Sequence, residues 1–180
     1  MHELESPGGH GAEHSSNPMV VPVSMTISIL AVLVAVATLL GHRAHTEELL
    51  LQAKASDEWA YYQAKNIRLR ELESFDDLLG VVATEDKAKA GQIREGYAKE
   101  IGRYGGDKGD ISKEARALES ERDRYRKRAD YFDAGEGILE FALIITSLTL
   151  LTSNRMFWIS GVVVGTAGIL ATLAGFLVRL

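Results

Sequence analysis

Two pairs of titratable side chains have a spacing that could do chemistry. His42 and His45 lie about one helical turn apart, where two imidazoles can bind a metal ion or haem, but no further ligand of matching spacing follows. Glu136 and Glu140 are also one turn apart, and Glu140 lies in an apolar segment, where an ionisable residue is a candidate for function. Two interpretations stay open: the glutamates form an interfacial ion pair with the basic residues His42, Arg43 and His45, or they line a path for protons or ions. We expect no metal and no cofactor.

The composition argues against several other classes of protein. The chain has 180 residues and no cysteine, so it has neither disulfides nor a thiolate nucleophile. It contains no nucleotide-binding loop, catalytic triad or metal motif, and we therefore expect no enzymatic activity. The net charge is −5, and residues 42–136 carry 18 basic against 21 acidic side chains, which argues against binding to nucleic acid.

Three apolar segments predict an all-α membrane protein. No Lys, Arg, Asp or Glu occurs between Glu13 and Arg43, a stretch long enough for one transmembrane helix. The polar turn Thr152–Arg155 separates two further segments and predicts a transmembrane helical hairpin over residues 137–180. The second of the three segments is the shortest. If it does not cross the membrane, the alternative is a protein with two spans. The three predicted spans are residues 20–41, 137–153 and 156–178.

The distribution of basic residues predicts the orientation. Of the 20 Lys and Arg residues, 18 lie between Arg43 and Arg128. The positive-inside rule therefore places residues 42–136 and the C-terminus in the cytoplasm and the N-terminus outside. Residues 1–19 are acidic and lack the positive charge that begins a signal peptide, so we expect a retained first helix and a disordered tail.

A basic cluster lies directly before the second span. Its position fits contact with anionic lipid headgroups. It also fits the simpler role of setting the orientation of the neighbouring span, and the sequence leaves both roles open. The residues expected at the headgroups are Arg124, Arg126, Lys127 and Arg128.

Residues 42–136 show helical and not alternating hydrophobic periodicity. We expect a first helix continuous with the first span, a break near 80–84, a second helix weakened by glycines, and a loop at 105–110. Ser112 is expected to cap a last helix that runs into the second span.

The two long legs of this middle region predict a cytoplasmic antiparallel hairpin, a coiled-coil stalk. Apolar residues follow three-and-four spacing on both legs, as in a heptad seam. Such a stalk can close within one chain or between chains. The residues expected at its interface are Trp59, Tyr62, Asn66, Leu69, Leu118 and Tyr125.

Small residues form stripes on the first and third spans. In lipid, helices associate through close packing, so stripes of small residues are contact faces. Two interpretations stay open: both faces pack within the monomer, or one of them binds a partner. The stripe residues are Ser24, Ser28, Ala31 and Ala35 on the first span and Gly161, Gly165, Gly168 and Gly175 on the third.

The run SDEWAYYQAKNIR at residues 56–68 resembles the signature of a bacterial membrane-protein family known as domain of unknown function 4337. The stretch YFDAGEGILEFALIITSLTLLT before the last turn is similar to that family as well. The resemblance implies a bacterial inner-membrane protein and supplies no catalytic residue. It draws attention to Trp59, Tyr62, Gln63 and Lys65, and we expect the last two to lie away from the packed stripe.

These observations favour a non-enzymatic membrane protein that assembles with itself or joins a larger membrane complex, in contact with membrane lipids. A first alternative is a small oligomeric channel or transporter-like protein with an ion path near Glu140. A second alternative is a membrane sensor that uses the helical stalk.

Overall fold

The computed structural model describes residues 18–82 and 86–178 and contains three α-helices in that part of the chain. They are α1 (Val20–Val81), α2 (Lys87–Thr152) and α3 (Arg155–Leu177). Each of them contains a segment long and apolar enough to cross a membrane, which confirms the prediction of an all-helical fold with three candidate spans over the described residues. The predicted disordered tail covers residues 1–19, of which 1–17 lie outside the described residues, as do residues 179–180 at the C-terminal end.

Helix α1 continues without interruption from the first apolar segment into the charged region, as its periodicity predicts. It has 62 residues, about 90 Å at the usual helical rise. It ends at Val81, within the predicted break, and α2 starts after Asp86, whose side chain accepts a hydrogen bond from the Lys89 amide at 3.0 Å. This is an N-cap, which satisfies one of the free amides at a helix start.

The predicted loop at 105–110 is wrong. Helix α2 runs through these residues without a break, and Ser112 is not a cap, because its hydroxyl donates to the Gly109 carbonyl within the helix at 3.0 Å. The glycines here each weaken a helix by about 1 kcal/mol relative to alanine. Pairing with α1 offsets that preference: Lys65 binds Asp107 at 2.9 Å, and Lys108 donates to Asn66 at 2.6 Å.

Helices α1 and α2 lie side by side in opposite directions. Their side-chain partners show this, because rising positions on α1 meet falling positions on α2. The pairs are His45 with Asp133, Trp59 with Glu119, Lys65 with Asp107, and Asp76 with Arg94.

A tight turn joins α2 to α3 at the polar segment expected for it. Ser153 adopts a left-handed conformation, with φ of 53°, and its amide donates to the Thr149 carbonyl at 2.8 Å. Asn154 then caps α3 by accepting from the Met156 amide at 3.0 Å. Helix α3 therefore returns along α2, and α2 lies between α3 and α1, which touch each other at few points. One of these is the hydrogen bond from Trp158 to Thr26, at 3.1 Å.

Candidate functional site

The small-residue face of α3 packs against α2, and at Gly165 also against Leu30 of α1. Its four glycines are buried. A Cβ atom on Gly168 would lie 3.0 Å from the backbone nitrogen of Leu139, and one on Gly175 would lie 2.9 Å from Cδ1 of Phe132. Larger side chains do not fit at this distance, so these glycines let the two helices approach closely. The contacts of this face are therefore made inside the chain.

The small-residue stripe of α1 is placed differently. Ser24, Ser28, Ala31 and Ala35 are all exposed. The residues of α1 that are buried in the same segment are Val23, Leu30, Ala37 and Gly41, on a different side of the helix. The chain thus buries one of its two small-residue stripes and leaves the other uncovered.

The uncovered stripe continues along α1 beyond the apolar segment. At 3.6 residues per turn, thirteen exposed residues project within an arc of about 60° on the side away from α2. We call them the outward face of α1. They are Ser24, Ser28, Ala31, Ala35, His42, Thr46, Leu49, Ala53, Ala60, Ala64, Ile67, Glu71 and Leu78.

The expected stalk residues lie between α1 and α2. The Trp59 indole donates to Glu119 at 3.0 Å and meets the Tyr62 ring edge to face at 5.5 Å between centroids. Asn66 accepts from Lys108, and Lys108 also lies 5.2 Å from the centre of the Tyr62 ring. Leu69, Leu118 and Tyr125 are half-buried.

Lys65 belongs to the same contact, contrary to the expectation that it lies away from the packing. Its ammonium group binds Asp107 at 2.9 Å and lies 4.6 Å from the centre of the Tyr104 ring. The hydrogen bond to Asp107 raises the pKa of Lys65 above its usual value. Gln63 is exposed, as expected. The spacing of apolar residues could not reveal Lys65, because its partners are charged or aromatic and lie on the other helix.

The expected ion pair of Glu136 and Glu140 with His42, Arg43 and His45 does not form among these described residues. Glu136 instead accepts a hydrogen bond from Thr38 at 2.6 Å. The ion pair between the two helices at this end of the apolar segments joins His45 to Asp133 at 2.9 Å. The hydrogen bond to Asp133 raises the pKa of His45, so this ring is protonated at a higher pH than a free imidazole. Asp133 lies about one helical turn before Glu136, and this spacing was the sequence signal that could have identified it as a partner for α1.

Glu140 lies deeper in the apolar region than the sequence suggests. The residue before it, Leu139, packs against Gly168, nine residues before α3 ends at Leu177. This corresponds to about 14 Å from that end of α3, close to half the thickness of a bilayer's hydrocarbon core. Glu140 is exposed and has no hydrogen bond or ion pair within the described part of the chain.

The basic cluster before the second span divides into two kinds of residue. Arg124, Arg126 and Lys127 are exposed. Arg128 is half-buried, with its guanidinium 5.6 Å from the centre of the Phe132 ring and 5.4 Å from that of Phe176. Of these four residues, Arg128 therefore lies within the packed helices, a distinction that charge spacing alone does not predict.

No group of three or more His, Asp or Glu side chains that could hold a metal ion occurs in residues 18–82 and 86–178. His42 is exposed, and His45 binds Asp133 and Glu48. The two histidines therefore face different surroundings despite their helical spacing.

A family model described as Domain of unknown function (DUF4337) matches residues 20–178. The chain belongs to this family. The resemblance seen in the sequence is thereby confirmed, and the DUF4337 match runs from the first residue of α1 to the residue after α3, so it covers all three helices. No curated protein and no solved structure matches the chain.

Proposed function

We propose that this DUF4337 protein is a non-enzymatic membrane subunit that assembles with its own copies, or with other subunits of a membrane complex, through the outward face of α1. One observation carries the proposal. The glycine stripe of α3 is buried inside the chain, whereas the stripe of Ser24, Ser28, Ala31 and Ala35 is exposed on α1. Small residues bring a helix close to another helix, and they give little contact with lipid chains.

The part of α1 outside the apolar segment supports the same proposal. Ile67, Phe75 and Leu78 are more than half exposed. These side chains lie beyond the span, in the charged region, where they would meet water. A row of exposed apolar side chains in water is typical of an interaction surface.

The proposed setting is the inner membrane of a bacterium, with the paired parts of α1 and α2 forming a cytoplasmic stalk. The excess of Lys and Arg between the first two spans supports this orientation. Family membership is consistent with a membrane protein, because the DUF4337 match covers three helices that are long and apolar enough to span.

The experiment is to measure the native mass of the protein extracted from its own membranes and to identify any proteins that comigrate. Ala31→Leu places a large side chain on the outward face and keeps the span apolar. We expect it to weaken assembly by about tenfold or more, because one poorly packed contact of about 1–3 kcal/mol has that effect.

Ala167→Leu is the matched control, since Ala167 is an exposed alanine in the third span. It should leave the mass unchanged. A wild-type protein that runs as a monomer alone, or an assembly that Ala31→Leu leaves intact, would contradict the proposal. Foreign subunits that Ala31→Leu releases would identify the chain as an accessory subunit.

The depth of Glu140 favours a second candidate, an oligomer that conducts protons or cations. A carboxylate near the middle of a bilayer is costly unless it binds a partner or an ion, and Glu140 has no partner in the described part of the chain. In proteoliposomes, Glu140→Gln should abolish proton or cation flux without changing the native mass. Wild-type vesicles no leakier than protein-free vesicles would exclude this candidate.

A further inference from the structure

A cavity of about 270 Å³ lies between α1 and α2 where the apolar segments end. Leu40 and Phe132 line it toward the apolar segments, which we call its apolar side, and Arg43, Glu47, Tyr125 and Arg128 line it toward the charged region, which we call its polar side. The contact between Phe132 and Gly175 indicates the level of the cavity along the spans. Gly175 is two residues before α3 ends at Leu177, so the cavity lies near the end of that span. The cavity therefore lies at the level of a membrane surface.

Arg128 is held in this cavity with unused hydrogen-bonding capacity. Its Nε is buried and has no hydrogen-bond partner among residues 18–82 and 86–178. The rings of Phe132 and Phe176 lie against the guanidinium and restrict its orientation. A buried donor on a charged group is normally satisfied, because leaving it unpaired is unfavourable by about 1–3 kcal/mol. The Arg128 guanidinium thus has a hydrogen-bond donor that no acceptor in the described part of the chain satisfies.

No carboxylate in the described part of the chain supplies that acceptor. Neither Arg43 nor Arg128 has an Asp or Glu oxygen within 4.0 Å in residues 18–82 and 86–178. Glu47 lines the same cavity without pairing with either arginine. Two unpaired guanidinium groups and one carboxylate leave the polar side of the cavity with a net positive charge.

We propose that this cavity binds the phosphate group of an anionic phospholipid. Arg128 and Arg43 would donate to the phosphate oxygens, since guanidinium groups bind such oxygens with short, charge-assisted hydrogen bonds. The acyl chains would extend along Leu40, which is half-buried, on the apolar side. The depth of the cavity selects a lipid over a free anion, because phospholipid phosphates lie at this level. The site does not depend on the proposed assembly, since the outward face of α1 contributes no residue to it.

The test counts the lipids that remain bound to the protein in native mass spectrometry after release from nanodiscs of phosphatidylcholine with phosphatidylglycerol. Arg128→Gln and Arg43→Gln should each weaken retention of phosphatidylglycerol by about tenfold or more, the effect of losing one hydrogen bond to a charged group. Arg126→Gln is the control, because Arg126 is exposed, two residues from Arg128, and does not line the cavity.

Arg43 is exposed and packs against no ring in the described part of the chain, so Arg43→Gln tests the site even if Arg128→Gln loosens the fold. Equal losses in Arg126→Gln and Arg43→Gln would overturn the proposal in favour of diffuse attraction to the membrane. Retention of phosphatidylcholine and phosphatidylglycerol to the same extent would overturn it as well. Displacement of the lipid by inorganic phosphate would support a phosphate site and overturn the assignment of a lipid as its ligand.

Discussion

Replacing Gly135 with alanine is expected to force α2 and α3 apart. A Cβ atom at this position would lie 2.9 Å from the backbone nitrogen and 3.1 Å from Cα of Thr172, and a backbone cannot rotate out of the way. Overpacking of a close contact destabilises by about 1–3 kcal/mol. We therefore expect a clearly lower melting temperature. It can be measured on the detergent-solubilised protein by size-exclusion chromatography after heating to a series of temperatures.

Gly137→Ala is the control, because it adds the same methyl group to the same helix. A Cβ atom on Gly137 would meet nothing within 4 Å, so the helix propensity of alanine acts alone there and favours folding. If both variants melted alike, the close approach of α2 and α3 would be refuted.

Replacing Gly102, Gly105, Gly106 and Gly109 together with alanine is expected to stabilise the paired region. All four lie within α2, and an added Cβ meets nothing within 4 Å at any of them. Each replacement favours a helix by about 0.8–1 kcal/mol, so the sum is roughly 3–4 kcal/mol. Local unfolding of this part of α2 should become rarer by about a hundredfold or more. The rates of amide hydrogen exchange over residues 98–115 would measure this change.

The same set of variants distinguishes a helix from a loop. In a loop at 105–110, alanine would bring no helical gain, and the exchange rates would stay as they are. Gly137→Ala serves as the distant control and should leave exchange at residues 98–115 unchanged.

The sequence was sufficient for features that depend on local chemistry. The absence of charge between Glu13 and Arg43 located the first span, and the polar residues at Thr152–Arg155 located the turn before α3. The three-and-four spacing of apolar residues correctly predicted that the first span continues into a long helix. In each case the sequence signal lies within a single helix or a single turn and does not depend on a second helix.

The sequence was insufficient where a second helix decides the outcome. Four glycines near 105 favour a loop locally, yet Lys65 and Asn66 on α1 bind the residues between them and keep α2 helical. The pairing register is another case, since nothing in one sequence shows that Asp133 lies opposite His45. An ion pair with Glu140 was predicted because Glu140 lies one helical turn from Glu136 and α1 carries Arg43 at the same end of its apolar segment. Only the packing of Leu139 against Gly168 shows how deep Glu140 lies.

The same limit applies to the candidate sites. Both small-residue stripes have the same spacing, so the sequence could not show that Gly168 is buried and Ala31 exposed. Likewise, Arg126 and Arg128 belong to one basic cluster, and only the fold places Phe132 and Phe176 against Arg128.

The uninterrupted length of α1 has a mechanical consequence. From Gly41 to Val81 the helix extends about 60 Å beyond the apolar segment, with α2 paired alongside it and no joint between the two parts. Spans tilt by amounts that depend on bilayer thickness. A tilt of about 10° would move the far end of such a rigid rod by about 10 Å, so a small change in the membrane becomes a large displacement far from it.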